Sequence, residues 1–174
     1  YFTIPLFESE NFLKRTLPLV APLLTRGFIM MMMGLLSVAL LMTMQRSDEF
    51  FHSFTQFLSL EGVIQGLIVL IFTKIVHELS HAYTATKYGV PVPHIGIAVI
   101  VLYPVLYTET TGSWQLSSRK ERFYIGMAGI IGELCLAAIF LMLWNFAPAG
   151  SSMQGIAFTV VAISLVGSLL INLN

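Results

Sequence analysis

Three residues in one short stretch have the types and spacing to do chemistry: His77, Glu78 and His81, in His77-Glu78-Leu79-Ser80-His81. On a helix, imidazoles at i and i+4 lie one turn apart on the same face, so both can bind one zinc ion. The Glu between them points near the same ion and can take a proton from water activated by it. Lys74 lies on the same stripe, since 74, 77, 78 and 81 fall at i, i+3, i+4 and i+7. It either pairs with Glu78 at i,i+4, favouring the charged form of the base, or snorkels away from it. The rival readings are a chance HExxH in a packed polar cluster and a zinc site without catalysis. Ionisable groups at membrane depth are costly, which argues against chance.

That depth is set by the surrounding chain. The motif sits inside an apolar run from Leu60 to Tyr83. The chain has 174 residues, 56% hydrophobic and 10% charged, and its mean hydropathy is +0.83. A soluble domain carries about 25% charged residues. The composition therefore predicts a polytopic membrane protein. A formal net charge of zero argues against a nucleic-acid partner. Cys135 is the single cysteine, which excludes an internal disulfide. The opening Tyr1-Phe2-Thr3-Ile4-Pro5 has neither Met nor a charged n-region. It reads as a piece of a longer polypeptide without a signal peptide.

The expected fold is all-α, with about four transmembrane helices and a short re-entrant β-hairpin-like segment. Residues 1–26, with Pro5, Pro18 and Pro22, read as a membrane-surface lead-in, helical between Glu10 and Leu17, or as a plain linker. Gly27–Met44 is apolar and uncharged, the first span. Residues 45–59 read as an interfacial loop or short helix, with His52 a surface histidine. The second span is Leu60–Tyr83, whose Gly62 and Gly66 suit close helix contact. After Tyr88-Gly89 the pattern changes, and Val90-Pro91-Val92-Pro93-His94 reads as a helix stop. Ile95–Tyr107 is β-branched, interrupted by Pro104, and short for a helical span, so it reads as a strand or hairpin covered by helices. Spans three and four are Phe123–Phe146 and Gly155–Leu173. His94 reads first as a capping or solvated histidine and second as a residue approaching the site. Glu133 should face protein, and Glu109 is either a neighbour of the site or a turn acid; no role is derived for either.

Lys and Arg set the expected topology. Lys14, Arg15 and Arg26 precede the first span; Lys87, Arg119, Lys120 and Arg122 separate the second from the third; only Arg46 lies on the other side. The positive-inside rule then puts the N-terminus, residues 84–122 and the C-terminal end in the cytoplasm, with the motif towards that side.

A transmembrane HELSH resembles the site-2 protease family of intramembrane zinc metalloproteases. The Ile95–Tyr107 stretch is similar to the β-hairpin after that family's HExxH helix, and Ala128-Gly129 to its Ala-Gly-Pro segment, with Ile130 where Pro is usual. The chain more closely resembles the membrane core of bacterial members linked to a membrane-fusion secretion adaptor. The matching features are the Ile4-Pro5-Leu6-Phe7 lead-in, Lys74 three residues before the motif, Tyr107-Thr108-Glu109, and Ala128-Gly129-Ile130-Ile131-Gly132-Glu133. Ser80 replaces the usual Gly of HELGH.

The resemblance implies that His77 and His81 are zinc ligands, that Glu78 is the general base, and that Asn172 helps hold substrate as an extended strand. Asn172 reads alternatively as a helix-end cap. The family's third ligand is an Asp, expected just after Asn174, so residues 27–174 would form a core incomplete at its C-terminus. The implied reaction is hydrolysis of membrane-embedded or membrane-associated peptides, the substrate pairing with the exposed edge of the Ile95–Tyr107 strand. The alternative is a non-proteolytic scaffold subunit of a membrane secretion or adaptor assembly that keeps the fold. Expected surroundings are the lipid bilayer of a bacterial inner membrane, a membrane peptide or protein substrate, and an adaptor or other membrane subunit. Metal transport finds little support, because no relay of acids runs along the other spans.

Overall fold

The computed structural model describes residues 2–100 and 103–170. Strand β1 (Phe2–Glu8) leads into helix α1 (Glu10–Val20), a 3-10 turn (Ala21–Leu24), α2 (Arg26–Met44), α3 (Ser47–Phe57) and α4 (Leu60–Lys87). After these come β2 (His94–Ile100), β3 (Tyr103–Thr108), a second 3-10 turn (Thr111–Gln115), α5 (Arg119–Phe146) and α6 (Ser152–Leu170). Helices α2, α4 and α5 are long and apolar enough to cross a bilayer. The fourth apolar helix, α6, is shorter over its well-described part, Ser152–Gly167. The chain is a mostly helical polytopic membrane protein, as its composition predicts.

Two compact units are present. The first contains residues 1–25 and 74–131, and with them the HExxH motif. Its sheet is three-stranded, in the order β1-β2-β3, with both neighbouring pairs antiparallel. The hairpin expected from Ile95–Tyr107 is β2 and β3. The strand before it, β1, has no counterpart in the sequence reading of residues 1–26. It pairs Ile4 with Ile97 and Glu8 with His94, its register shifting between Pro5 and Phe7. His94 is therefore the first residue of β2 and not part of the preceding turn.

The joint from β1 into α1 is pinned at Ser9, which is fully buried. Its hydroxyl donates to the Val92 carbonyl at 2.7 Å and its amide to Pro93 O at 3.0 Å. Leu13, one turn on, is fully buried among Ala82, Tyr83, Val92 and Ile95. Helix α1 runs through Pro18, whereas the sequence reading ends its helix at Leu17.

Helix α4 ends at Lys87, between the expected end of the second span at Tyr83 and the expected stop from Val90 to His94. Gly89 adopts φ +76°, a left-handed conformation that costs glycine little. Gly89 N donates to Thr86 O and Val90 N to Ala85 O, each at 3.0 Å. These two bonds close the last turn as a Schellman motif and send the chain back towards β2.

The second unit holds residues 26–73 and 132–174. Its core sets Ala39, Leu141 and Val161 together, beside a cluster of Trp144, Ala157 and Phe158. Phe50 meets the Trp144 and Phe158 rings edge-on, with centroids 5.3 and 5.0 Å away. Arg46, in the α2–α3 corner, donates to the Asn145 carbonyl and to Glu49, each at 2.5 Å, and its guanidinium lies 5.1 Å from the Trp144 ring centre.

Candidate active site

His77 and His81 are both buried, at 5% and 3% exposure, although they lie on a helix with many exposed apolar side chains. Their rings meet edge-on with centroids 4.9 Å apart, and the two Nε2 atoms face each other at 3.2 Å. His81 Nδ1 lies 2.7 Å from the carbonyl oxygen of Ile125 on α5. A carbonyl only accepts, so His81 carries its proton on Nδ1 and turns the Nε2 lone pair towards His77. A backbone carbonyl behind a metal-binding histidine is a common way to fix its tautomer and ring plane.

The spacing of the two nitrogens suits two of the ligands of one zinc ion. Two imidazole nitrogens held ~2.0–2.1 Å from one tetrahedral ion stand roughly 3.3–3.4 Å apart. Without a metal, the same spacing suits a hydrogen bond from His77 Nε2–H to the His81 lone pair. Among the described residues, no three His, Cys, Asp or Glu side chains are grouped to hold an ion.

Helix α5 closes tightly over the pair. A Cβ at Gly129 would collide with Cε1 and Nε2 of His77 and would come within 2.6 Å of His81 Nε2. The Ala-Gly pair of the sequence thus has a local cause: no side chain fits at residue 129 while both imidazoles keep their places.

Glu78, half-buried, is the next residue along α4. Its carboxyl has the hydroxyl and amide of Thr108 beside it, with the His77 and Lys74 side chains nearby. The Thr108 hydroxyl donates to the backbone carbonyl of Glu78 at 3.0 Å. Sequence reasoning missed Thr108, although it stands in the middle of Tyr107-Thr108-Glu109. It also missed the Ile125 carbonyl, for which no side chain gives a signal.

The other candidates are placed as follows. Glu109 continues the hairpin ladder, its amide donating to His94 O at 3.2 Å. Glu133 is fully buried in the α5 part of the second unit. His52 is exposed on α3, and Cys135 is a half-buried free thiol. Asn172 lies outside the described residues.

The strand order shows which side of the Ile95–Tyr107 stretch is an edge among the described residues. β2 is the central strand, its outer side taken by β1, so the hairpin's open edge belongs to β3.

Apolar helices with HExxH on a buried helix face define a membrane protein of metallopeptidase type. The family model described as peptidase family M50 matches residues 65–172. The chain belongs to that family, the site-2 proteases, which are metallopeptidases of the membrane. No curated protein and no solved structure matches it.

Proposed function

We propose that this chain is an intramembrane zinc metallopeptidase that hydrolyses peptide bonds of membrane-embedded or membrane-associated peptides. The observation that carries this reading is the 3.2 Å approach of the His77 and His81 Nε2 atoms, with Glu78 between them in sequence. His77 and His81 would hold the zinc. An Asp beyond Asn174, as the family resemblance implies, would be the third protein ligand. When bound, zinc supplies a Lewis acid for the scissile carbonyl and for water.

This chain's own residues do the rest. The substrate lies as an added strand on the open edge of β3, where backbone bonds hold it without demanding a sequence. Glu78 takes a proton from water as its oxygen adds to the carbonyl carbon, and delivers that proton to the amine as the C–N bond breaks. Asn172 helps hold the extended substrate. The Lys and Arg bias supports an inner-membrane protein with a cytoplasmic N-terminus, and residues 1–26 fit the membrane surface through exposed Phe12 and Leu19 beside Lys14 and Arg15.

The test is Glu78→Gln in the membrane-embedded, zinc-loaded protein. Loss of cleavage with zinc retained is expected, and full activity overturns the reading. A wild-type protein that binds zinc and cleaves nothing would favour the scaffold of a secretion or adaptor assembly. For the third ligand, zinc should bind more tightly to a chain extended through that Asp than to its Asp→Ala form; equal affinity refutes three-ligand binding.

A further inference from the structure

The hairpin and the motif helix are joined at one residue. Thr108, the last residue of β3, gives its hydroxyl hydrogen to the Glu78 carbonyl at 3.0 Å. Inside a helix that carbonyl already accepts the N–H four residues on. The Thr108 bond is therefore an addition, made from another element to the turn that carries the carboxylate. The same threonine's hydroxyl and amide lie beside the Glu78 carboxyl.

The direction of that amide follows from the register. Glu109 N donates to His94 O at 3.2 Å, so the next pair along, Ile95 with Thr108, does not exchange bonds. Thr108 therefore turns its N–H and C=O to the open side of β3. Leu106 does the same two residues earlier, and Pro104 has no N–H to offer. A peptide added along this side would find a donor at Leu106, and at Thr108, whose amide faces the Glu78 carboxyl, the border reaches the base.

We propose that Thr108 is a positioning residue for Glu78, its hydroxyl bond to the Glu78 backbone carbonyl fixing the helix turn that carries the carboxylate at the end of the strand border that receives the substrate. The inference rests on the protease reading above. It deepens that reading by naming the contact that sets register between substrate strand and base. Thr108 makes no bond to the reacting atoms; it acts through Glu78.

The test compares Thr108→Val, which keeps the shape and removes the hydroxyl, with Thr108→Ser, which keeps the hydroxyl. In zinc-loaded protein in membranes, Thr108→Val should lower kcat by about 10- to 100-fold with KM little changed, the scale of effect of misplacing a reacting group. Thr108→Ser should recover most of that loss. A readout that needs no turnover is the infrared band of the Glu78 carboxyl, identified by its absence in Glu78→Gln. The band should move in Thr108→Val and stay in place in Thr108→Ser. Wild-type kcat in Thr108→Val, a loss in Thr108→Ser as large as in Thr108→Val, or an unmoved band overturns the proposal and leaves the protease reading standing. Full activity of Glu78→Gln overturns the protease reading itself, and with it any catalytic part for Thr108.

Discussion

The Nε2 atoms of His77 and His81 face each other at 3.2 Å, and the backbone of Gly129 lies against both rings. One helix supplies the pair and a second helix, by having no side chain at that point, lets the pair stand. Gly129→Ala should therefore displace an imidazole. We expect zinc affinity to fall at least ~10-fold, with a stability loss of about 1–3 kcal/mol from overpacking. Gly126→Ala on the same helix meets nothing within 4 Å and should be neutral or slightly stabilising. Metal analysis and thermal unfolding of the two variants in detergent check this.

One residue of α1 belongs to the packed interior of the first unit. Leu13 is fully buried against Ala82, Tyr83 and Ile95. Leu13→Ala should destabilise the protein by about 2–5 kcal/mol. Exposed Leu19, on the same helix, should tolerate Ala with a change within about 0.5 kcal/mol. Denaturant titration of both variants in micelles separates a packed α1 from a loose lead-in.

A small pH effect should originate at the corner between α2 and α3. The hydrogen bond from Arg46 holds the Glu49 carboxyl below its ordinary value. A carboxyl lowered by folding stabilises above its unfolded value, and that stabilisation is lost as pH falls through the folded value. Glu49→Gln should thus unfold at a slightly lower temperature than wild type at pH 7, and the gap should close by about pH 3. The pair is exposed, so the effect is small and should shrink further in high salt. Melting curves at the two pH values decide it.

Trp144 is fully buried and donates its indole N–H to Ser53 Oγ at 3.2 Å, with Phe50 edge-on to its ring. Trp144→Phe removes the donor and leaves space. A loss of about 1–3 kcal/mol is expected. Ser53→Ala, which leaves the indole N–H without its acceptor, should cost about 1–3 kcal/mol. The double variant should lose less than the sum, because both changes remove one shared bond. Unfolding measured on all four proteins checks the coupling.

What could be read from the sequence was whatever leaves a local pattern. Apolar runs long enough for a bilayer gave α2, α4 and α5; the prolines of Val90-Pro91-Val92-Pro93-His94 gave a stop just past the end of α4; the β-branched stretch with Pro104 gave the hairpin. The spacing of His77 and His81 put both on one helix face, and the structure brings their nitrogens together. Long-range pairing escaped. β1 is a short, proline-bearing segment that becomes a strand only because β2, far along the chain, provides its partner. Thr108 and the Ile125 carbonyl escaped for the same reason, since each acts on a residue from another element. The role of Gly129 was half visible: Ala128-Gly129 resembled a family segment, but nothing local shows that its neighbours are the two imidazoles.

Pro5 stands opposite Gly96 at a non-bonded pair, so its missing N–H faces away from β2, and the register slips just after it. The first strand thus swaps the hairpin's inner flank, a regular row of backbone donors and acceptors, for a blunted one. A protein deprived of this strand would carry a sticky flank on each side of its sheet, and two copies could zip together there. Self-association, rather than a failed metal centre, would be the first symptom of its removal.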